Sequence, residues 1–419
     1  MTSTAAAKPA APASVAAVQR RVLTVLVVSQ VLSGAGLAAG ITVGALLAQD
    51  MLGTTGLAGL PSALFTAGSA LAAIAVSRIS AARGRRPGLA AGYATGAVGS
   101  AGVIAAAVTE SPALLFAALF VYGAGTATNL QARYAGADLA EPTHRARAVS
   151  TVLVATTLGG VVGPTLAAPT GDLARTMGIP RLAGPFLLAG VAYAAAALVL
   201  AIRLRPDPLL LARALDEARP ADPAGTAAPA DDPAPRTGGR VVSGTLVMVL
   251  TQLVMVAVMT MTPVHMHDTG HGTAASGLVI AIHVGAMYLP SPLTGRLVDR
   301  FGSTALAVAS GITLLAAGLL AAVAPGDGVV LLALALALLG LGWNFGLVSG
   351  TAIITDAVPL ATRARTQGMV DVAIAVSGAT GGLASGAVVD MAGYPALALG
   401  GGLLALAVLP AVAATARGR

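Results

Sequence analysis

The sequence predicts an all-α membrane protein of twelve transmembrane helices, arranged as two pseudo-symmetric six-helix halves. Three observations predict it. The first is composition: 56% of the 419 residues are hydrophobic and 10% are charged, with a mean hydropathy of +0.85. Water-soluble domains carry about 25% charged residues. The second is run length: the apolar runs exceed about 18 residues and do not alternate, which favours helical spans over a β-barrel. The third is a repeat. Asp138, Arg145 and Arg147 form D-x6-R-x-R after the fourth apolar run, and Asp356, Arg363 and Arg365 repeat it 218 residues later. The same offset relates Arg78 to Arg296 and Gly84 to Gly302. Paired six-helix halves are a known transporter plan, with the solute site between them near the bilayer midplane.

Residues 1–18 are rich in Ala and Pro and are expected to be disordered. The spans fall near 22–48, 56–77, 88–108, 112–133, 148–168 and 182–202, then 241–262, 273–293, 303–324, 328–354, 366–389 and 395–415. Charged loops, Pro or Gly separate them. The N-terminal half covers 19–203 and the C-terminal half 241–419. Between them, 204–240 is rich in Pro, Asp, Ala and Arg and reads as a cytoplasmic linker, with a short helix around Leu209–Ala218. Of the 24 Lys and Arg, only Arg175 and Arg181 fall in outer loops if the N-terminus is inside. Both termini are therefore expected in the cytoplasm, with the chain multi-pass in the plasma membrane and the lipid bilayer as its surroundings. The net charge of +7 is a topology signal, and no nucleic-acid partner is expected. There is no Cys, which excludes disulfides and thiolate metal sites. No phosphate-binding loop and no nucleophile with its base is evident, so neither an enzyme nor a cofactor is expected.

Soft ligand side chains concentrate in one stretch. Six of the 11 Met (Met248, Met255, Met259, Met261, Met266, Met287) and four of the five His (His265, His267, His271, His283) lie within residues 248–287. Met255 and Met259 are spaced i, i+4 on the seventh span, and His283 and Met287 repeat that spacing on the eighth. This spacing sets both members of a pair on one helix face, roughly 5–6 Å apart at Cβ. Thioether and neutral imidazole suit Cu(I) better than hard cations. An imidazole at bilayer depth, as at His283, reads as functional by default. Copper is thus the expected transported substrate, passing along a ladder formed by Met259, Met255, His283 and Met287. Met261, His265, Met266, His267 and His271 form either an outer capture vestibule or an ordinary polar turn.

The whole chain resembles the major facilitator superfamily. Gly295-Arg-Leu-Val-Asp299-Arg300-Phe-Gly302 looks like that family's G-x-x-x-D-x-x-G loop after span eight, while the first-half copy has Ser77 and Ala81 in place of Gly and Asp. The resemblance implies the major facilitator fold, and a gating role for Gly295, Asp299, Arg300 and Gly302. It also suggests a monomer by analogy. M-x-x-x-M followed by H-x-x-x-M is similar to the CcoA-like (CalT) bacterial copper importers. That likeness implies copper binding by Met255, Met259, His283 and Met287, and import of copper, as Cu(I), by secondary-active alternating access.

Other polar positions keep an alternative open. Gly159-Gly160-Val-Val-Gly163-Pro164 partly resembles the G-x-x-x-G-P signature of proton-coupled drug antiporters, with Ala167-Ala168 where the family has Gly. The alternative is therefore a proton-coupled efflux transporter of a small organic compound. Asn129 and Arg133 end span four, Trp343 and Asn344 sit in span ten, and Asp371 lies two turns inside span eleven. Asp371 is expected either to pair with Arg133 or to act as the proton-coupling acid.

Overall fold

The computed structural model of the chain describes residues 12–52, 60–218, 233–271, 273–325 and 328–416. The first half contains α1 (Pro12–Leu52), α2 (Leu60–Arg83), α3 (Arg85–Val108), α4 (Pro112–Ala137), α5 (Arg145–Thr165), α6 (Ala167–Thr176) and α7 (Gly184–Arg203). A connecting helix follows, α8 (Pro208–Glu217). The second half contains α9 (Pro233–Asp268), α10 (Thr273–Tyr288), α11 (Ser291–Phe301), α12 (Ser303–Val323), α13 (Val329–Ala357), α14 (Leu360–Ala405) and α15 (Val408–Ala416). Twelve membrane spans result. α10 and α11 make one span, broken near Pro290. α14 holds the eleventh span and the start of the twelfth, because the chain reverses at Gly393 (φ 81, ψ 167). α6 extends the fifth span by a short separate helix.

Local sequence explains the boundaries. Pro begins α4 and α8, a place where its missing N–H leaves no helical bond unmade. Ser111 accepts the Leu114 N–H as the cap of α4, and Asp207 accepts the Leu209 and Leu210 N–H groups as the cap of α8. Three expectations change. Residues 12–18 are helical rather than disordered, since nothing after Pro12 interrupts α1; residues 1–11 lie outside those described. The linker carries its expected short helix, at Pro208–Glu217, but is helical again from Pro233, with 219–232 outside the described residues. Gly295, Asp299 and Arg300 lie on α11 rather than in a loop, because Arg296–Phe301 contains no breaker and only Gly302 ends the helix.

The repeat is visible in the backbone. Gly84 (φ 94, ψ 171) precedes α3 and Gly302 (φ 89, ψ 152) precedes α12. These equivalent positions share a conformation open to Gly almost alone. Two apolar clusters form the core, and the second also takes in Ala146, Val149 and Leu153 of α5. The first is built on Tyr93, Tyr122, Phe186 and Tyr193, with ring centroids 5.3–5.8 Å apart. The second is aliphatic around Leu336, Leu339 and Leu347. Leu71, Val98, Val191, Leu383 and Met391 are exposed outside these cores, as lipid-facing side chains must be. Gly302→Ala is expected to lower stability by about 1–3 kcal/mol through backbone strain alone, since nothing lies within 4 Å of its added Cβ. Gly386→Ala, in open space inside α14, is expected to raise stability by about 0.4–1 kcal/mol. Thermal unfolding in detergent compares the two.

Candidate functional site

Two close approaches bring the halves together. On α14, a Cβ at Gly368 would stand 2.1 Å from the Ser77 side chain of α2. On α11, a Cβ at Gly295 would stand 2.6 Å from Ser150 Oγ and 2.8 Å from the Ala146 carbonyl of α5. No larger residue fits either place without parting the helices. Both contacts lie at the end of the bundle that carries the Arg-rich loops, here termed the basic end.

A polar latch surrounds them. The Asp299 carboxylate accepts N–H groups from Ala146 (3.1 Å) and Arg147 (3.3 Å), so an acid of the second half caps the N-terminus of α5 in the first. Arg145 donates to Asp356 across the halves at 2.6 Å. Arg85, buried, grips Asp138 at 2.8 Å and donates to Gln367 of α14 at 2.5 Å. From α8, Arg213 donates to the carbonyls of Ala81 at the end of α2 and of Leu360 and Ala361 at the start of α14. The connecting helix thus ties both halves. Arg300 is exposed beside Phe301 and joins no cross-half ion pair among the described residues. Gly302 supplies the turn into α12.

Deeper in the bundle, Arg133 of α4 reaches across to Asp371 of α14 at 2.8 Å, and both are buried. Arg133 also donates to Tyr134 Oη at 2.8 Å, to Thr351 Oγ1 of α13 at 3.1 Å, and to the Leu130 carbonyl. The Tyr134 hydroxyl donates on to the same Asp371 oxygen at 3.2 Å, while Asp371 Oδ2 has no partner among the described residues. Thr351 is the repeat-equivalent of Arg133, 218 residues on. Asn129 belongs elsewhere, donating to Ser33 and accepting from Gln30 inside the first half. The hydrogen bonds and ion pairs joining the halves among the described residues all lie toward the basic end.

The soft-ligand residues are placed differently. α9 packs mainly on α13 and α14 and touches α10 only slightly, whereas α10 packs on α13. His283 is fully buried with Nδ1 2.9 Å from the Leu336 carbonyl of α13, so the imidazole is engaged in the α10–α13 packing. Its Nε2 has no partner among the described residues. Met255 and Met287 are buried in the apolar cluster with Leu336 and Leu339, and Met259 packs on its edge. No group of three or more His, Asp or Glu gathers as a metal site among the described residues. Met261 to His267 lie on the last turns of α9 rather than in a turn, since Pro263 is carried within the helix. Met261 packs on the cluster edge and Met266 is buried within it. His265 stacks on Tyr394 at 4.3 Å and 9°. His267 and His271 line an open groove of about 350 Å³ with Pro263 and Ile280.

The profile of the Major Facilitator Superfamily matches residues 26–287 and 244–418. The chain belongs to the Major Facilitator Superfamily. Among curated relatives, the uncharacterized MFS-type transporter YdeG of Bacillus subtilis is 57% identical over 94% of this chain and 91% of its own length. The riboflavin transporter RfnT of Brucella anthropi is 34% identical over 84% of this chain and 85% of its own. Among solved structures, the human organic anion transporter MFSD10 superposes with a TM-score of 0.74 at 18% identity, covering 94% of this chain and 99% of that one, which shows the shared fold. Neither the family match nor these relatives support copper as the solute, and this facilitator is a multi-pass membrane transporter.

Span number and the Arg133–Asp371 pairing, one of the two expectations for Asp371, were legible from the sequence, but the rest of the latch was not. Arg213, Gln367 and Tyr134 carry no motif. The repeat offset also relates Arg133 to Thr351, and the two share a hydrogen bond. Two outcomes follow. Asp299→Ala is expected to speed labelling of a Cys introduced at Ser150 by about tenfold or more, since each lost charge-assisted bond is worth about 1.5–3 kcal/mol. With no native Cys, that residue is the sole thiol target. Arg133→Leu alone is expected to cost about 3–5 kcal/mol by stranding the buried Asp371, whereas Arg133→Leu with Asp371→Leu recovers most of it. Monodisperse yield and thermal midpoint read both.

Proposed function

We propose that this facilitator carries a small organic solute by alternating access, and that the state described is closed at the basic end. The observation that carries this reading is the one-sided latch: two halves are bolted by Asp299, Arg145–Asp356, Arg85–Gln367 and Arg133–Asp371 at one end of the bundle. A carrier needs a reversible seal at each end in turn, and polar contacts that water can replace break and reform more readily than an apolar core. The positive-inside rule assigns the basic end to the cytoplasm, with both termini there, in the plasma membrane. The facilitator then faces outward as a monomer. The opposite transition requires Arg133 and Asp371 to part, which exposes both to water.

The solute class rests on the relative named for riboflavin, at 34% identity over most of both chains. A planar heteroaromatic compound of the flavin kind is the first solute to test. The copper reading gains no support from the geometry, since His283 is engaged with α13 and Met255 and Met287 fill an apolar core. The efflux alternative shares the organic solute and differs in direction and coupling.

Reconstituted into liposomes preloaded with riboflavin, the protein is expected to accelerate entry of labelled riboflavin by counterflow. Imposing a proton gradient of either sign reads direction and coupling. Cellular copper content is expected to be unchanged by His283→Ala. A fall in copper content with that variant, together with no riboflavin counterflow, overturns the organic-solute reading.

A further inference from the structure

We infer that Tyr288, Gln252 and Trp343 form the corner of the central cavity that recognises the planar ring of the solute, which rests on the organic-solute reading above. The three come from different spans. Gln252 is on α9, Tyr288 ends α10 and Trp343 is mid-way along α13. Each lies near the middle of its span, where paired-half transporters hold their solutes.

The chain is poor in aromatic residues, 3% overall, and Trp343 is its single tryptophan. Trp343 is 4% exposed, and its indole N–H donates to Gln252 Oε1 at 2.7 Å. The Tyr288 ring meets the indole edge to face, with centroids 5.6 Å apart at 72°. Trp343 therefore sits behind the other two and fixes both. Gln252 and Tyr288 are half-buried. Gln252 turns its amide nitrogen past Gly378 of α14, where a Cβ would lie 3.1 Å away. No bond occupies that amide NH₂ or the Tyr288 hydroxyl among the described residues.

The corner adjoins the latch. Trp343 stands eight residues from Thr351 on α13, about 12 Å along the axis. Thr351 receives a hydrogen bond from Arg133. A planar ring set against Tyr288 is stacked on one face, with the Gln252 NH₂ placed to donate to a ring carbonyl or nitrogen. Aromatic stacking and one neutral hydrogen bond suit an uncharged heteroaromatic ring. Tyr288 and Gln252 are the contacting residues, and Trp343 is a positioning residue.

The single tryptophan reports on the corner directly. Riboflavin added to the purified full chain in detergent is expected to quench Trp343 emission saturably, beyond the quenching of free N-acetyltryptophanamide. Tyr288→Ala and Gln252→Ala are each expected to weaken binding about tenfold, with Tyr288→Phe close to the parent because it keeps the ring. Trp343→Phe removes the optical signal, so its weakened binding is read by equilibrium dialysis. Thermal midpoints within a few degrees of the parent establish that the variants fold. Riboflavin bound or carried with unchanged affinity by both alanine variants overturns the corner and leaves the organic carrier standing. No riboflavin binding and no counterflow by the parent overturns the corner, and joined by a fall in copper content with His283→Ala it overturns the organic-solute reading as well.

Discussion

The ion pair between Arg133 and Asp371 is the constraint on which this architecture turns. Two charges removed from water are costly, and their attraction repays that cost only when geometry and further hydrogen bonds are good. Here Tyr134, Thr351 and the Leu130 carbonyl complete the shell of Arg133. The shell draws on α4, α13 and α14, so it exists only while the halves are pressed together at the basic end. The same residues are stable in contact with each other or with water, but not alone in an apolar interior. That property suits the pair to the alternating access proposed above.

The shallower latch grades the same contact outward. Gly368 and Gly295 let backbones approach, and the approach brings the Asp299 carboxylate onto the first turn of α5. Arg213 adds carbonyl contacts on both halves from the connecting helix, so the linker between the repeats also joins the seal. Positive charge at this end therefore has two uses. On the positive-inside reading proposed above it orients the chain in the bilayer, and it supplies the partners for acids of the opposite half.

The apolar sequence made the spans readable, because a helix in lipid must satisfy its own backbone and advertises itself as a long hydrophobic run. The Gly84 and Gly302 correspondence was readable too, since a turn that only Gly tolerates leaves its mark at the same repeat position. Span eight was harder. The eye sees a loop in Gly295–Gly302, while the chain continues as α11 after a break at Pro290. Asn344 of α13 mends that break by donating to the Met287 carbonyl and to Ser291. The soft-ligand pattern misled for a related reason: spacing by four places two side chains on one helix face but does not say which neighbour that face meets. For His283 the neighbour is the Leu336 carbonyl of α13.

The sequence by itself determined the solvent, the twelve helices, the two-fold repeat and the family. Each of these follows from local hydrophobicity or from residue spacing along one chain. The tertiary structure alone decided which of the possible charge pairs form across the halves. Those depend on the meeting of residues more than two hundred positions apart, such as Arg133 with Asp371 and Arg85 with Gln367. Sequence periodicity carries helix faces, and only packing assigns those faces to one another.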